Sequence, residues 1–169
     1  MIKHILNYSL IYGTGIIIFK FLIYLNGNYT KQNSFHVTIL LLITASSIFG
    51  GMVMFKKTND NYISLGEALK IGIGIAILGG LLAILWNLLL IKVIDPNIIT
   101  QLEEKNIKHI IDSGSDFTQE NIEKQIAITR KYTSPLIQIG SAITENLLLG
   151  IVFGLIGGLI IRKKRDPFN

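Results

Sequence analysis

The sequence predicts an all-α membrane protein: four transmembrane helices, with an extracytoplasmic amphipathic helical hairpin between the third and fourth. Three observations carry that reading. Half of the 169 residues are hydrophobic and only 16% are charged, whereas soluble domains carry roughly a quarter charged residues. The charges fall mostly in 56–70, 92–131 and 162–166, with long apolar runs between them. Each run reaches the ~20 residues that a helix rising 1.5 Å per residue needs to cross a hydrocarbon core of about 30 Å.

The whole chain, 1–169, reads as one membrane domain. Its spans are about 5–25, interrupted by Lys20; 35–55, closed by Lys56 and Lys57; 68–94, closed by Asp95 and Pro96; and 136–161, closed by Arg162, Lys163, Lys164 and Arg165. Lys3 gives the first run a basic start, as in a signal peptide. Lys20 breaks its later part, however, and no small-x-small cleavage pattern follows, so a retained span is expected.

Orientation follows from Lys and Arg near the span ends. With the N-terminus inside, the cytoplasmic side gathers Lys3, Lys56, Lys57, Lys70 and the basic run 162–165. The short outer loop 26–34 then holds only Lys31. The outer segment 95–135 mixes five basic with seven acidic residues and retains little. Both termini are therefore expected in the cytoplasm. The net charge of +5 sits mainly at span ends, where Lys56, Lys57, Arg162, Lys163, Lys164 and Arg165 flank lipid head groups. It predicts membrane lipids as partners and no nucleic acid.

Segment 95–135 is long enough to fold. Asp95 can cap a helix that has Pro96 at its first position, and Ile98, Ile99, Leu102 and Ile110 mark its apolar side. Ser113-Gly114-Ser115 breaks that helix. Asp116 with Gln119 then has capping-box spacing, followed by Ile122, Ile126 and Tyr132 at helical intervals.

Without a hydrophobic drive between helices in lipid, close packing at small residues holds spans together. The third span has Ala68, Gly72, Ala76 and Gly80 at four-residue intervals. The fourth has Gly150, Gly154 and Gly158, and the second has Ser46–Gly50 and Ser47–Gly51. Contacts within the bundle are expected, with a seam between copies as the alternative. Tyr8, Tyr12, Tyr24, Tyr29, Tyr62 and Tyr132 are expected to form aromatic belts at the two interfaces.

Ionisable groups within spans are expensive and mark function by default. Counting 1.5 Å per residue from the outer boundary, Lys20 lies roughly 8 Å deep, Asn87 about 12 Å, Glu145 about 14 Å and Ser46 about 16 Å. Asn146 and Thr144 flank Glu145. All four spans thus place a polar group in one outer-half layer of Lys20, Ser46, Asn87, Glu145 and Asn146. Lys20 can snorkel to the interface, and Glu145 is either protonated, paired with Lys20 or Asn87, or part of a pathway for ions or polar substrates.

Nothing in the sequence predicts an enzyme. His4 and His36 fall at opposite membrane sides, His109 has only Asp112 three residues on, an ordinary surface pair, cysteine is absent, and no nucleophile elbow, zincin or phosphate-loop motif occurs. No catalytic residue, metal or cofactor is expected.

Several stretches, taken in order, resemble a family of small four-helix bacterial inner-membrane proteins classed as a domain of unknown function. They are residues 63–72 (ISLGEALKIG), Asp95-Pro96, a polar helical segment with a Ser-Gly break, residues 132–136 (YTSPL), Glu145 in the last span and the terminal Arg-Lys-Lys-Arg. One departure is that Asn146 follows the acidic position where the family pattern has a proline. The resemblance implies the bacterial cytoplasmic membrane and an association with polyprenyl-phosphate glycosyltransferases, as an accessory subunit. From the residues themselves, a non-enzymatic scaffold or accessory subunit of a membrane complex, packed against itself or another membrane protein, leads. The alternative is a small transporter or ion-conducting protein using Lys20, Asn87 and Glu145. A cavity reaching Glu145 favours the alternative, and a dry, ion-paired core favours the scaffold.

Overall fold

A computed structural model of the chain describes residues 1–27, 29, 34–113, 119–132 and 134–163. Gly114 and Ser115 of the Ser-Gly break, the Asp116 cap, Lys31, Lys164, Arg165 and the side chains of Ile110, Ser113, Ile122 and Tyr132 lie outside the described residues. Six α-helices follow one another: α1 Ile2–Leu25, α2 Ser34–Thr58, α3 Leu65–Leu89, α4 Ile98–Ser113, α5 Gln119–Tyr132 and α6 Pro135–Ile161. Among the described residues, four helical stretches are long and apolar enough to cross a membrane: α1, α2, Leu65–Ile94 and α6. The chain is a multi-pass membrane protein. The start of α1 and the end of α6 lie at one end of the bundle, here the terminal end, where His4 meets Thr58 and Ile63 meets Lys163; the end of α1 and the start of α2 lie at the far end.

Local chemistry sets the helix limits. Ser64 caps α3: its hydroxyl accepts the Glu67 N–H at 3.2 Å, and the Glu67 carboxylate accepts the Ser64 N–H at 2.8 Å. This reciprocal box satisfies donors that would otherwise be orphaned at a helix start. At its other end α3 widens into a π-helical turn, Leu90–Ile94, closed by the Asp95 N–H donating to the Leu90 carbonyl at 2.8 Å. Pro96 has no N–H and cannot extend the ladder. Pro135 starts α6 at a position where its missing donor is harmless. In the loop between α2 and α3, Asp60 and Asn61 take positive φ angles of 53° and 62°, a region these short polar side chains tolerate.

Helix α3 is the hub, packing against α1, α2 and α6; α2 also touches α1 and α6, while α1 and α6 do not pack along each other. Small residues allow the close approach of α3 and α6. A Cβ on Gly72 would lie 2.6 Å from the Gly150 carbonyl oxygen, one on Gly150 2.9 Å from Ala76 Cβ, and one on Gly158 2.9 Å from Ala68 Cβ. Gly154 lies over Leu69, and Gly80 faces Asn146. On α2, Gly50 and Gly51 receive the ring of Tyr8 from α1. The fully buried side chains Ile48, Met52, Ile71 and Ile75 fill the half of the bundle nearer the termini.

That end is also tied by polar contacts. Ile63 and Lys163 pair their backbones as an antiparallel bridge, with N–H···O distances of 3.1 and 3.0 Å. Lys56 Nζ donates to the Ile161 carbonyl at the end of α6, at 2.8 Å. Lys163 Nζ sits 5.4 Å from the centre of the Tyr62 ring, and the Thr58 hydroxyl lies 2.9 Å from His4 Nε2. At the far end α4 pairs with α5, and α5 reaches α6. Ile98 is buried, with Ile99 and Leu102 half-buried beside it.

Candidate functional site

The far half of the bundle is looser. Because α1 and α6 do not pack along each other, a cavity of about 180 Å³ remains among the four spans. Each span contributes one stripe at three- or four-residue spacing: Tyr12, Ile16 and Lys20 from α1; Val37, Leu40, Leu41 and Thr44 from α2; Gly80, Ala83, Ile84 and Asn87 from α3; Ala142, Glu145, Asn146 and Leu149 from α6. Such spacing keeps side chains on one helix face. The cavity has apolar walls and a limited set of polar groups.

Those groups form two clusters. Asn87 Oδ1 accepts two donors, Lys20 Nζ at 3.4 Å and the Tyr29 hydroxyl at 2.9 Å. Tyr29 comes from the far-end loop, also lines a hollow with Tyr24, Asp95 and Gln101, and burial pushes its hydroxyl up to about 12. Deeper in the bundle, the Tyr12 hydroxyl donates to Asn146 Oδ1 at 2.7 Å, while Asn146 Nδ2 donates to the Ala142 carbonyl at 2.7 Å.

Lys20, Asn87, Glu145 and Asn146 therefore do line one cavity, and Ser46 does not. Successive helix residues are about 100° apart, so Thr44 and Ser47 turn inward while Ser46 faces out and donates to the Leu42 carbonyl at 2.6 Å. The same geometry bears on one of the alternatives for Glu145, its pairing with Lys20 or Asn87. Asn146 takes the inward position against Gly80, leaving Glu145 exposed on the rim. Among the described residues Glu145 makes no ion pair with Lys20 and no hydrogen bond with Asn87, although all three face the same space. Glu145 also borders an outward groove on α6 with Gly140, Ser141 and Thr144. The rim is completed by Val37 and Leu41, both exposed, so the cavity opens sideways between α2 and α6.

Tyr12 is a second correction. It is 2% exposed, deep in the core rather than in an interfacial belt, because Gly79 leaves room for its ring. Tyr12, Thr44 and Tyr29 were the site residues missed from the sequence. Tyr12 was detectable, since it stands eight residues before Lys20 with Ile16 between, one turn apart each. Tyr29 had no such signal, being in a loop.

The family description "Protein of unknown function (DUF4199)" matches residues 7–163. The chain belongs to this family. No curated protein and no solved structure matches it. The family match includes every residue lining the cavity, and its description assigns no activity, so the site's chemistry has to be argued from its geometry.

Proposed function

We propose that this family member is a non-enzymatic membrane protein that binds a small polar group in the intramembrane cavity, with Lys20, Asn87 and Glu145 as its recognition groups. The observation that carries this reading is that the cavity reaches both Lys20 and Glu145 while the two do not pair. A charged group within a span is expensive; keeping two opposite ones apart across a hollow makes sense where a ligand completes them. Donors and acceptors of this kind, set among apolar walls, are what small-molecule sites present. The terminal half is sealed by Ile48, Met52, Ile71 and Ile75, so access is from the far half.

The cavity reading is tested with protein in lipid nanodiscs, by counting ligands retained in native mass spectrometry. Ala142→Leu fills the cavity and is expected to abolish retention; retention equal to wild type would overturn the reading.

We further infer that the termini are cytoplasmic, in a bacterial inner membrane, with the cavity in the outer half. Lys3, Lys56, Lys57, Lys70, Arg162 and Lys163 at the terminal end support this orientation. The cysteine-free chain suits a direct test: Lys3→Cys should resist a membrane-impermeant maleimide in intact cells, and Asn106→Cys should react. The opposite pattern would invert the topology.

A scaffold or accessory-subunit role has one observation in its favour. The outward groove at Gly140, Ser141 and Thr144 offers small residues to a partner helix. Co-elution of a membrane enzyme, such as a polyprenyl-phosphate glycosyltransferase, from native membranes would favour that role; elution alone would count against it.

A further inference from the structure

We propose that the ligand is a zwitterion, an ammonium joined to a phosphate ester, as found on an aminophospholipid head or its free head group. This rests on the cavity reading above and names its ligand.

The cavity is divided by hydrogen-bonding character. On its α1–α3 side it offers donors. Lys20 supplies an ammonium, and because Asn87 Oδ1 is occupied by Lys20 and Tyr29, Asn87 has its amide N–H groups left to give. Around Thr44 of α2, Tyr12 of α1 and Glu145 of α6 it offers acceptors. The Thr44 hydroxyl hydrogen is committed to the Leu40 carbonyl at 2.8 Å, and that of Tyr12 to Asn146. Both oxygens keep lone pairs, and Glu145 adds a carboxylate that makes no hydrogen bond and no contact ion pair among the described residues.

An anion suits the first side and a cation the second. A purely anionic ligand would satisfy Lys20 and face Glu145 with a like charge; a purely cationic one would do the reverse. A dipolar ligand answers both; as the phosphodiester of a lipid head it is neutral overall, and as the free phosphomonoester it keeps about one excess negative charge. The volume of about 180 Å³ is many times the minimum that one water molecule needs and is of the size of a small head group, not of a whole lipid. The sideways opening at Val37, Leu41 and Glu145 gives acyl chains a way to stay in the bilayer while the head enters.

The experiment uses the full chain in nanodiscs of phosphatidylglycerol containing a minor share of phosphatidylethanolamine, read by native mass spectrometry, with free phosphoethanolamine as competitor. Selective retention of phosphatidylethanolamine that the competitor does not displace identifies the lipid as source. Retention of phosphoethanolamine itself, in nanodiscs of phosphatidylglycerol alone, identifies the free head group. Either outcome supports the zwitterion. Lys20→Met and Glu145→Gln should each lower zwitterion retention by about tenfold or more, and Lys20→Arg and Glu145→Asp should restore most of it, which guards against loss through misfolding. If Ala142→Leu abolishes retention but wild type shows no preference for the zwitterion over phosphatidylglycerol, the zwitterion is overturned and the cavity reading stands. The same holds if only one of the two charge variants has an effect. If Ala142→Leu changes nothing, both fail.

Discussion

Tyr12 and Asn146 are joined by a 2.7 Å hydrogen bond between two helices, α1 and α6, that do not otherwise pack along each other. The bond forms the floor of the cavity and spans the wider diagonal of the bundle. Tyr12→Phe removes the donor and leaves Asn146 Oδ1 without it. Intramembrane hydrogen bonds average about 0.6 kcal/mol and reach roughly 1.7, so a loss in that range is expected. Reversible unfolding in bicelles measures it, and a Tyr12→Phe/Asn146→Leu double variant no worse than the single would show that the two act as a pair.

The glycine seam predicts opposite outcomes for the same substitution at two sites on α3. Gly72→Ala places a Cβ 2.6 Å from the Gly150 carbonyl oxygen and 2.8 Å from Gly154 Cα, backbone atoms that cannot swing aside. Overpacking of this kind costs about 1–3 kcal/mol. A Cβ on Gly66 meets nothing within 4 Å, so Gly66→Ala should be neutral or stabilise by about 0.5–1 kcal/mol through helix propensity. Melting curves in detergent that rank the two variants the other way round would refute the packing.

Ser64→Ala removes the hydroxyl that caps α3 and the reciprocal contact with Glu67. Loss of such a cap costs about 0.5–2 kcal/mol. Hydrogen exchange should then rise at the first turn of α3, residues 65–68, with α6 unaffected; uniform exchange across the bundle would argue against a local cap.

Tyr29 predicts a pH effect. Its hydroxyl is held neutral by burial, with its pKa raised from 10.0 to about 12. The unfolded chain ionises first, so the stability attached to this group is complete below pH 10. It declines as pH rises toward 12 and is lost above it. The tyrosinate absorbance difference between wild type and Tyr29→Phe should therefore titrate near 12, and a midpoint near 10 would mean that Tyr29 is not buried against Asn87.

The helices were legible in the sequence because membrane spans are written in length and apolarity, which require no knowledge of tertiary contacts. The four-residue ridges on α3 and α6 were legible for a related reason: small residues recur with the helix period wherever backbones meet. Depth was also readable, and so Lys20, Asn87 and Glu145 were brought to one level. Rotation about the helix axis was not. Ser46 against Thr44, and Glu145 against Asn146, differ by one or two positions and so by a large turn, and only the packing of neighbouring helices selects which faces in. The Ile63–Lys163 bridge was hidden because it joins residues a hundred positions apart.

That bridge has a mechanical consequence. It fastens the entrance of α3 to the exit of α6 beside their glycine seam, and Lys56 clasps α2 to the same point. Sliding α3 along α6, as a piston moves, would break both backbone hydrogen bonds of the bridge. The bundle's looser packing is all at the other end, where Glu145 stands on the lip of the gap between α2 and α6.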